Sequence, residues 1–415
     1  MNILLVSLTV PVPATNGHKM RTWSLIRALA AQGHKTTVLC FASRRESTDD
    51  LSDLYRVCES VELVPLETES LSSNSILHRL YKVFHPVPYG VLRFCSKQMR
   101  RRIAYHINSN HPDLVVAETA YSMINIPAAI SVPVAIDHHN IESLILKRYC
   151  SVERRFFPRL YAALEYVKML AWDKKVCRNA DLQFACSLVD REQVLSLCST
   201  AHCAVVPNTV ELNEYSPTPL VQEPTLLYVG GLDWLPNRDA IDFFVQEIFP
   251  SICREVEGVR FVVAGRNPPV EFERRIRKVE GVEFVANAKD IRDVFSRAAV
   301  CVVPLRIGSG TRLKILEAAA MGKAVVSTSL GAEGLVFTPG KEILIADQPK
   351  AFSRSVIDLL NDPAKRAAIG LGARRKLEEG YGFSALNQSL ASGISDLLHR
   401  RSVQQMTFVP ARPLP

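Results

Sequence analysis

The chain has 415 residues, 47% of them hydrophobic, and a formal net charge of +8. That length is too great for one ordinary core and predicts two domains of about 200 residues each. No segment reaches the roughly 18 continuous apolar residues of a membrane span, and ten scattered cysteines without a CxxC pair argue against a disulfide scaffold or a zinc site and for a reducing cytosol.

The first apolar run, Asn2 to Ser7, lacks the basic flank of a signal peptide and reads as a strand. Lys19 to Ala31 has helical periodicity and ends at Gly33, and Lys35 to Phe41 is a second strand. Val61 to Pro65, Asp113 to Ala117 and Val132 to Ile136 are further short apolar runs. A long helical stretch at 152–178 precedes two more strands, Asp181 to Cys186 and Cys203 to Pro207. This alternation predicts a parallel sheet covered on both faces. Between these elements, residues 70–112 hold no acidic residue but carry Arg79, Lys82, Arg93, Lys97 and Arg100 to Arg102, with aromatics interleaved. Two readings stand: a solvated surface, or a contact with an anionic membrane or acidic acceptor. No recognisable nucleic-acid module accompanies the charge, so nucleic acid is not an expected partner.

Residues 209–224, with Pro217, Pro219 and Pro224, are the predicted linker. The rhythm then restarts with strands at Thr225 to Val229, Val259 to Ala264, Val282 to Val285, Val300 to Val303, Ala324 to Thr328 and Glu342 to Ile345. Asp239 to Pro250 is a helix, and helices at 350–360, 363–379 and 384–399 finish the pattern. The expected division is therefore 1–208 for the first domain and 225–401 for the second. The final helix is a candidate to pack back on the first domain, and 402–415 reads as a disordered tail. In such sheets ligands bind beyond the carboxyl ends of the strands.

Residues 300–334, VCVVPLRIGSGTRLKILEAAAMGKAVVSTSLGAEG, carry the clearest chemistry. A buried strand runs into a Gly-Ser-Gly loop, Gly308 to Gly310, and then into a helix opened by Thr311. That order puts backbone N–H groups and the positive end of a helix dipole at a strand's carboxyl end, where a phosphate fits. Arg312 and Lys314 supply cations for a diphosphate, and Glu317 supplies a carboxylate for the two hydroxyls of a ribose. The plainer alternative for Glu317 is a surface pair with Lys314 at i, i+3. For Gly17 it is a loop glycine, and for Gly230 and Gly231 a tight strand-to-helix turn. For His139 it is a structural loop histidine.

The GSGTRLKILEAAAMGKAVVST segment with GAEG after it resembles the retaining GT-B glycosyltransferases of the family 4 type, the group 1 glycosyl transferases. PVPATNGHKMRTWSLIRALAAQGH, DHHNIES at 137–143, VVPNTVEL at 205–212 and YVGGLDWLPNRDAI at 228–241 carry the same resemblance. It implies an α/β fold of two Rossmann-like parallel-sheet domains facing across a cleft. The implied activity is metal-independent transfer of a hexose, with retention, from a nucleoside-diphosphate sugar to a lipid-linked or polysaccharide acceptor in cell-envelope synthesis. No cofactor is implied, and the location is cytoplasmic, peripheral at the inner face of the cell membrane if 70–112 touches lipid. Glu317 matches the second glutamate of the family's E-x7-E signature, and the first is replaced by Ser309. His139 matches the histidine that touches the donor sugar, so His139 and Glu317 are the implied catalytic pair. Gly17 matches the glycine-rich turn that approaches the diphosphate, with His18 where a second glycine is usual. Gly230, Gly231, Arg306, Gly308, Ser309, Gly310, Thr311, Arg312 and Lys314 complete the implied donor site, Arg238 being a further candidate for the phosphate clamp. Asn16, His18, Asp137 and Asn140 are implied on the acceptor side. A nucleotide-sugar 2-epimerase and a non-catalytic nucleotide-sugar-binding subunit are the rival readings. A dinucleotide dehydrogenase is disfavoured by the absence of GxGxxG after the first strand.

Overall fold

Short runs of β-branched and apolar residues bounded by loops form strands buried on both faces, which is the signature of parallel sheets under helices. The computed structural model describes residues 1–42, 51–66 and 83–407. The chain divides into two compact units. One comprises Met1–Ser143, Leu164–Pro207 and the chain from Ser384 on; the other comprises Leu144–Ala163 and Asn208–Phe383.

The first unit holds seven parallel strands: β1 (Asn2–Ser7), β2 (Lys35–Ala42), β3 (Ser60–Pro65), β4 (Leu114–Glu118), β5 (Val134–His138), β6 (Leu182–Ala185) and β7 (Cys203–Val205). Their order is β3-β2-β1-β4-β5-β6-β7. The second unit repeats the scheme with β8 (Thr225–Gly231), β9 (Arg260–Arg266), β10 (Val282–Ala286), β11 (Val300–Val303), β12 (Ala324–Ser327) and β13 (Leu344–Ile345), in the order β10-β9-β8-β11-β12-β13. In each sheet the order reverses beside the first strand, between β1 and β4 and between β8 and β11. These reversal points are where ligands of open α/β sheets sit.

Several elements differ in detail from the sequence reading. The predicted helix at 152–178 runs from Phe156 to Asn179, and a separate helix, Glu142–Val152, precedes it. The predicted helix from Asp239 to Pro250 is an α-helix over Leu235–Phe243, a π turn over Phe244–Ile248 and another helix, Phe249–Glu255. Pro250 has no N–H to donate, so the helical ladder must be restarted around it. Residues 209–224 form no regular element but pack on the second unit, with Tyr215 buried. The last helix, Phe383–Thr407, extends through part of the predicted tail; residues 408–415 lie outside the described residues, as do 70–82 of the basic stretch. Among the described residues, no helix is long and apolar enough to cross a membrane.

Candidate active site

In the second unit the loop after β11 leads into the helix Leu313–Ala320, with Arg312 at its N-cap rather than inside it. The guanidinium of Arg312 is buried and turns back to donate to the carbonyls of Ser309, at 2.6 Å, and Gly310. Gly308 has φ +152°, and a Cβ there would lie 2.8 Å from Arg312 Nη2. The glycine loop thus wraps around its own arginine. Arg148 holds it from outside, donating to the Gly308 carbonyl at 2.6 Å and bidentately to Glu333 of the GAEG segment. Asn208 donates to the Thr311 hydroxyl at 2.6 Å.

Lys314 lies one turn further on and reaches the end of β8. Its ammonium donates to the Tyr228 hydroxyl and to Asn237 Oδ1, both at 2.9 Å, and sits 4.0 Å from the centre of the Tyr228 ring. A Cβ on Gly230 would fall 2.8 Å from Asn237 Nδ2 and 3.0 Å from Lys314 Nζ. The first glycine of the Gly-Gly turn therefore makes room for this lysine. Burial pushes Lys314 down to about 7, with the charge of Arg312 adding and that of Glu317 opposing. Glu317 accepts from the Tyr215 hydroxyl at 2.9 Å. Burial raises its pKa against the pull of Tyr215, Lys314 and Arg266. Arg266 closes β9 beside this group, and burial lowers its pKa while Asp233 and Glu317 support its charge.

The other expected phosphate cations are engaged elsewhere. Arg306 pairs bidentately with Asp239, at 2.7 and 3.1 Å, over the Phe243 ring. Arg238 donates to the carbonyls of Leu232 and Asp233. Gly231 ends β8, and its carbonyl accepts from Asn237 at 2.8 Å.

In the first unit a second cluster lies at the ends of β1, β4 and β5. Asn16 caps the helix Gly17–Ala31 by accepting from the Lys19 N–H at 2.8 Å, and Gly17 is the first residue of that helix. Its first turns carry His18, Arg21 and Thr22 toward Glu118 and Asp137. Arg21 is bidentate to Asp137 and also donates to the Val206 carbonyl at 2.9 Å. His139 Nε2 lies 2.9 Å from Asp137 Oδ2, and its Nδ1 lies 3.0 Å from His18 Nδ1. His18 Nε2 is 3.1 Å from Glu118 Oε1.

Two proton arrangements satisfy all three contacts: either ring carries both protons and the other is a neutral imidazole. The electrostatics choose between them. With His139 protonated on Nε2 for Asp137 and accepting at Nδ1, His18 donates from Nδ1, faces Glu118 with a second N–H and is the imidazolium. Burial opposes the charge of His18, but Glu118 outweighs it and raises the pKa. Burial, then the charge of His18, lowers that of His139. Glu118 is buried, which works against its charge, yet His18, His139 and Ser7 hold it down to about 2. Asn140 reaches Glu142 at a long 3.5 Å, and Glu142 accepts from Tyr121 at 2.7 Å. His138 alternates to the other side of β5 and bonds Gln183 at 2.8 Å. Among the described residues, His18, Glu118 and His139 are the group whose ligand atoms lie close enough for one metal ion. Both oxygens of Glu118 also accept from the protein, from Ser7, Leu8 N–H and Thr22.

A family model described as glycosyl transferases group 1 matches residues 223–362, and one described as Glycosyltransferase Family 4 matches 15–214. The fold matches that of sucrose-phosphate synthase from Thermosynechococcus elongatus with a TM-score of 0.74, at 19% identity, over 96% of this chain and 100% of that one. The chain is a GT-B glycosyltransferase. This glycosyltransferase is also 25% identical over 254 residues to the lipopolysaccharide core biosynthesis mannosyltransferase LpsB of Rhizobium meliloti, covering 55% of the chain and 69% of LpsB. Its fold is similar to that of Anabaena HepE in complex with UDP-glucose, with a TM-score of 0.65 at 15% identity over 95% of this chain and 100% of HepE.

Sequence reasoning missed Glu118, Arg148, Tyr215, Tyr228, Asn237 and Arg266 of the glycosyltransferase. For Glu118 a signal was present: an acid closing the apolar strand Leu114–Glu118 has no place in a core unless something meets it.

Proposed function

We propose that this glycosyltransferase moves a hexose, with retention, from a nucleoside-diphosphate sugar to a lipid-linked or polysaccharide acceptor of the cell envelope. The observation that carries the donor half is the grouping of Lys314, Glu317 and Arg266 beside the glycine loop. It sets one carboxylate for a ribose next to two cations for a diphosphate. The similarity to LpsB and to a UDP-glucose-binding fold supports the same reading. In this reading Arg312 and Arg306 shape the loop, and the diphosphate is met by Lys314, Arg266 and the N–H groups at the start of Leu313–Ala320. As the glycosidic C1–O bond breaks, negative charge grows on the leaving phosphate, and these donors stabilise it in place of a metal. His139 of the first unit is the residue assigned to orienting the sugar, and the departing phosphate takes the acceptor's proton.

Glu317→Ala is expected to weaken donor affinity about 10- to 100-fold, the worth of hydrogen bonds to a charged group. Turnover at saturating donor should change far less. Calorimetry with the nucleoside diphosphates of uridine, guanosine, adenosine and thymidine measures the first, and a radiolabelled-sugar transfer assay the second. Unchanged affinity for every diphosphate would remove Glu317 from the donor site.

Lys314 makes a separate prediction. Burial holds its pKa at about 7, well below the ordinary lysine value of 10.5, so the free enzyme holds it neutral above neutral pH. A bound diphosphate restores its charge. Binding near pH 8 should therefore take up close to one proton, read from calorimetry in buffers of different ionisation enthalpy. Affinity should fall by up to about tenfold per pH unit above 7. Lys314→Met should abolish the uptake and weaken the diphosphate but not the bare nucleoside.

A further inference from the structure

The helix Phe156–Asn179 has two unlike sides. Ala162, Glu165, Met169, Asp173 and Val176 are buried. On the opposite side Phe157, Leu160, Tyr161, Leu164 and Val167 are exposed, with Phe156 next to them. Phe157 is 79% exposed and Val167 62%. Spacings of three and four residues make these side chains one continuous apolar stripe. Among the described residues they are six of the eighteen large hydrophobics that stand exposed; a patch of that kind on a folded chain marks an interaction surface.

The charges around the stripe decide what covers it. Arg154 stands exposed just before the helix and Arg159 in its first turn, and beyond Val167 the outer side passes to Lys175 and Arg178. The acids of the segment do not offset them. Glu153 is held by Arg155 at 2.7 Å, Glu165 by Lys168 at 2.9 Å, and Asp173 is buried. The rim is therefore positive. A second copy of the chain would bring a second positive rim against the first, whereas anionic phospholipid answers both the charge and the apolar stripe.

We propose that the outer side of the helix from Phe156 to Val167 docks the enzyme on an anionic phospholipid surface. Phe156, Phe157, Leu160 and Val167 enter the boundary between headgroups and acyl chains, Tyr161 sits at headgroup depth, and Arg154 and Arg159 meet the phosphates. This assigns the membrane contact to a segment other than 70–112. For its purpose the inference rests on the lipid-linked acceptor proposed above. Its test does not, because vesicle binding is read without donor and donor binding without vesicles.

The full-length protein is sedimented with vesicles of phosphatidylcholine alone and with vesicles of equal parts phosphatidylcholine and phosphatidylglycerol. It should bind the mixed vesicles, and salt should weaken that binding. Phe157→Ser with Leu160→Ser should lower vesicle affinity by about tenfold or more. Arg154→Glu with Arg159→Glu should lower it and reduce its salt dependence. All four positions are exposed, so both variants should keep the parent melting temperature and nucleoside-diphosphate affinity. Wild-type protein left in solution by both vesicle types would overturn the proposal, and so would variants that bind like the parent. Gel filtration that resolves a wild-type dimer and a monomeric Phe157→Ser, Leu160→Ser variant would assign the stripe to a second copy instead.

Discussion

Asp137→Ala should destabilise the first unit by about 3–5 kcal/mol, because it leaves the Arg21 guanidinium buried and unmatched. Both side chains are 1% exposed, and their closest approach is 2.5 Å. The Val206 carbonyl would remain as a neutral acceptor for Arg21 but cannot offset its charge. Arg21→Met should cost a similar amount for the mirror reason. The double variant, which removes both charges, should lose clearly less than the two single losses combined. Urea unfolding of the four proteins measures this cycle, and simple additivity would show that the pair is not what holds these residues. The pH dependence has a definite sign. Asp137 is held well below the ordinary aspartate range: burial works to raise it, but Arg21 and then His139 outweigh that effect. Its contribution is therefore present above the ordinary value and is lost as pH falls through the depressed folded one. Glu118 behaves alike, losing its part between its ordinary value of 4.5 and about 2. His18 runs the other way: its pKa is raised above 6.5, so its contribution is complete below that value and lost as pH rises through the folded one. These three groups together favour the cluster most between about pH 4.5 and 6.5.

The strands were legible because parallel sheets bury both faces, so each strand is a bare apolar run such as Val300–Val303. The restart of the same rhythm after residue 224 carried the second sheet. Local anomalies were harder. The π turn at Phe244–Ile248 and the break before Phe156 depend on how a helix is accommodated, not on its apolar period. For the candidate site, the motif residues were legible, while their partners were not. Lys314 is bracketed by Tyr228 and Asn237, 86 and 77 positions away in the chain, and no single-sequence pattern links such distances. The same limit explains Arg312. Its place beside the glycine loop suggested a cation facing outward, yet Gly308 leaves the space that its guanidinium fills by turning inward. A glycine that admits a ligand and a glycine that admits a neighbouring side chain read identically in sequence.

His139→Ala should lower turnover about 100- to 1,000-fold while leaving donor affinity within about threefold, the pattern of a group whose contact matters only in the transition state. The physical case rests on the pair it forms with His18. His139 is held neutral with one nitrogen committed to Asp137 at 2.9 Å and the other to His18 at 3.0 Å. Its ring is therefore locked in one orientation, and the charge of the pair resides on His18, which is partly exposed. Removing His139 deletes the oriented ring and leaves the His18 imidazolium without its acceptor, so His18→Asn should also lower turnover. Because the two act as a unit, the double variant should cost little more than His139→Ala alone. The pH profile separates this pair from Lys314. Loss of the His18 proton, above 6.5 because its pKa is raised, should lower kcat at saturating donor. Loss of the Lys314 proton, at about 7, should weaken donor binding in the free enzyme and be reversed by excess donor. Saturating-donor kinetics from pH 5 to 9 on the parent and on His18→Asn make the distinction. If kcat in the parent stays flat across that range, or if His139→Ala weakens donor binding as much as turnover, His139 is a binding residue and the catalytic role falls.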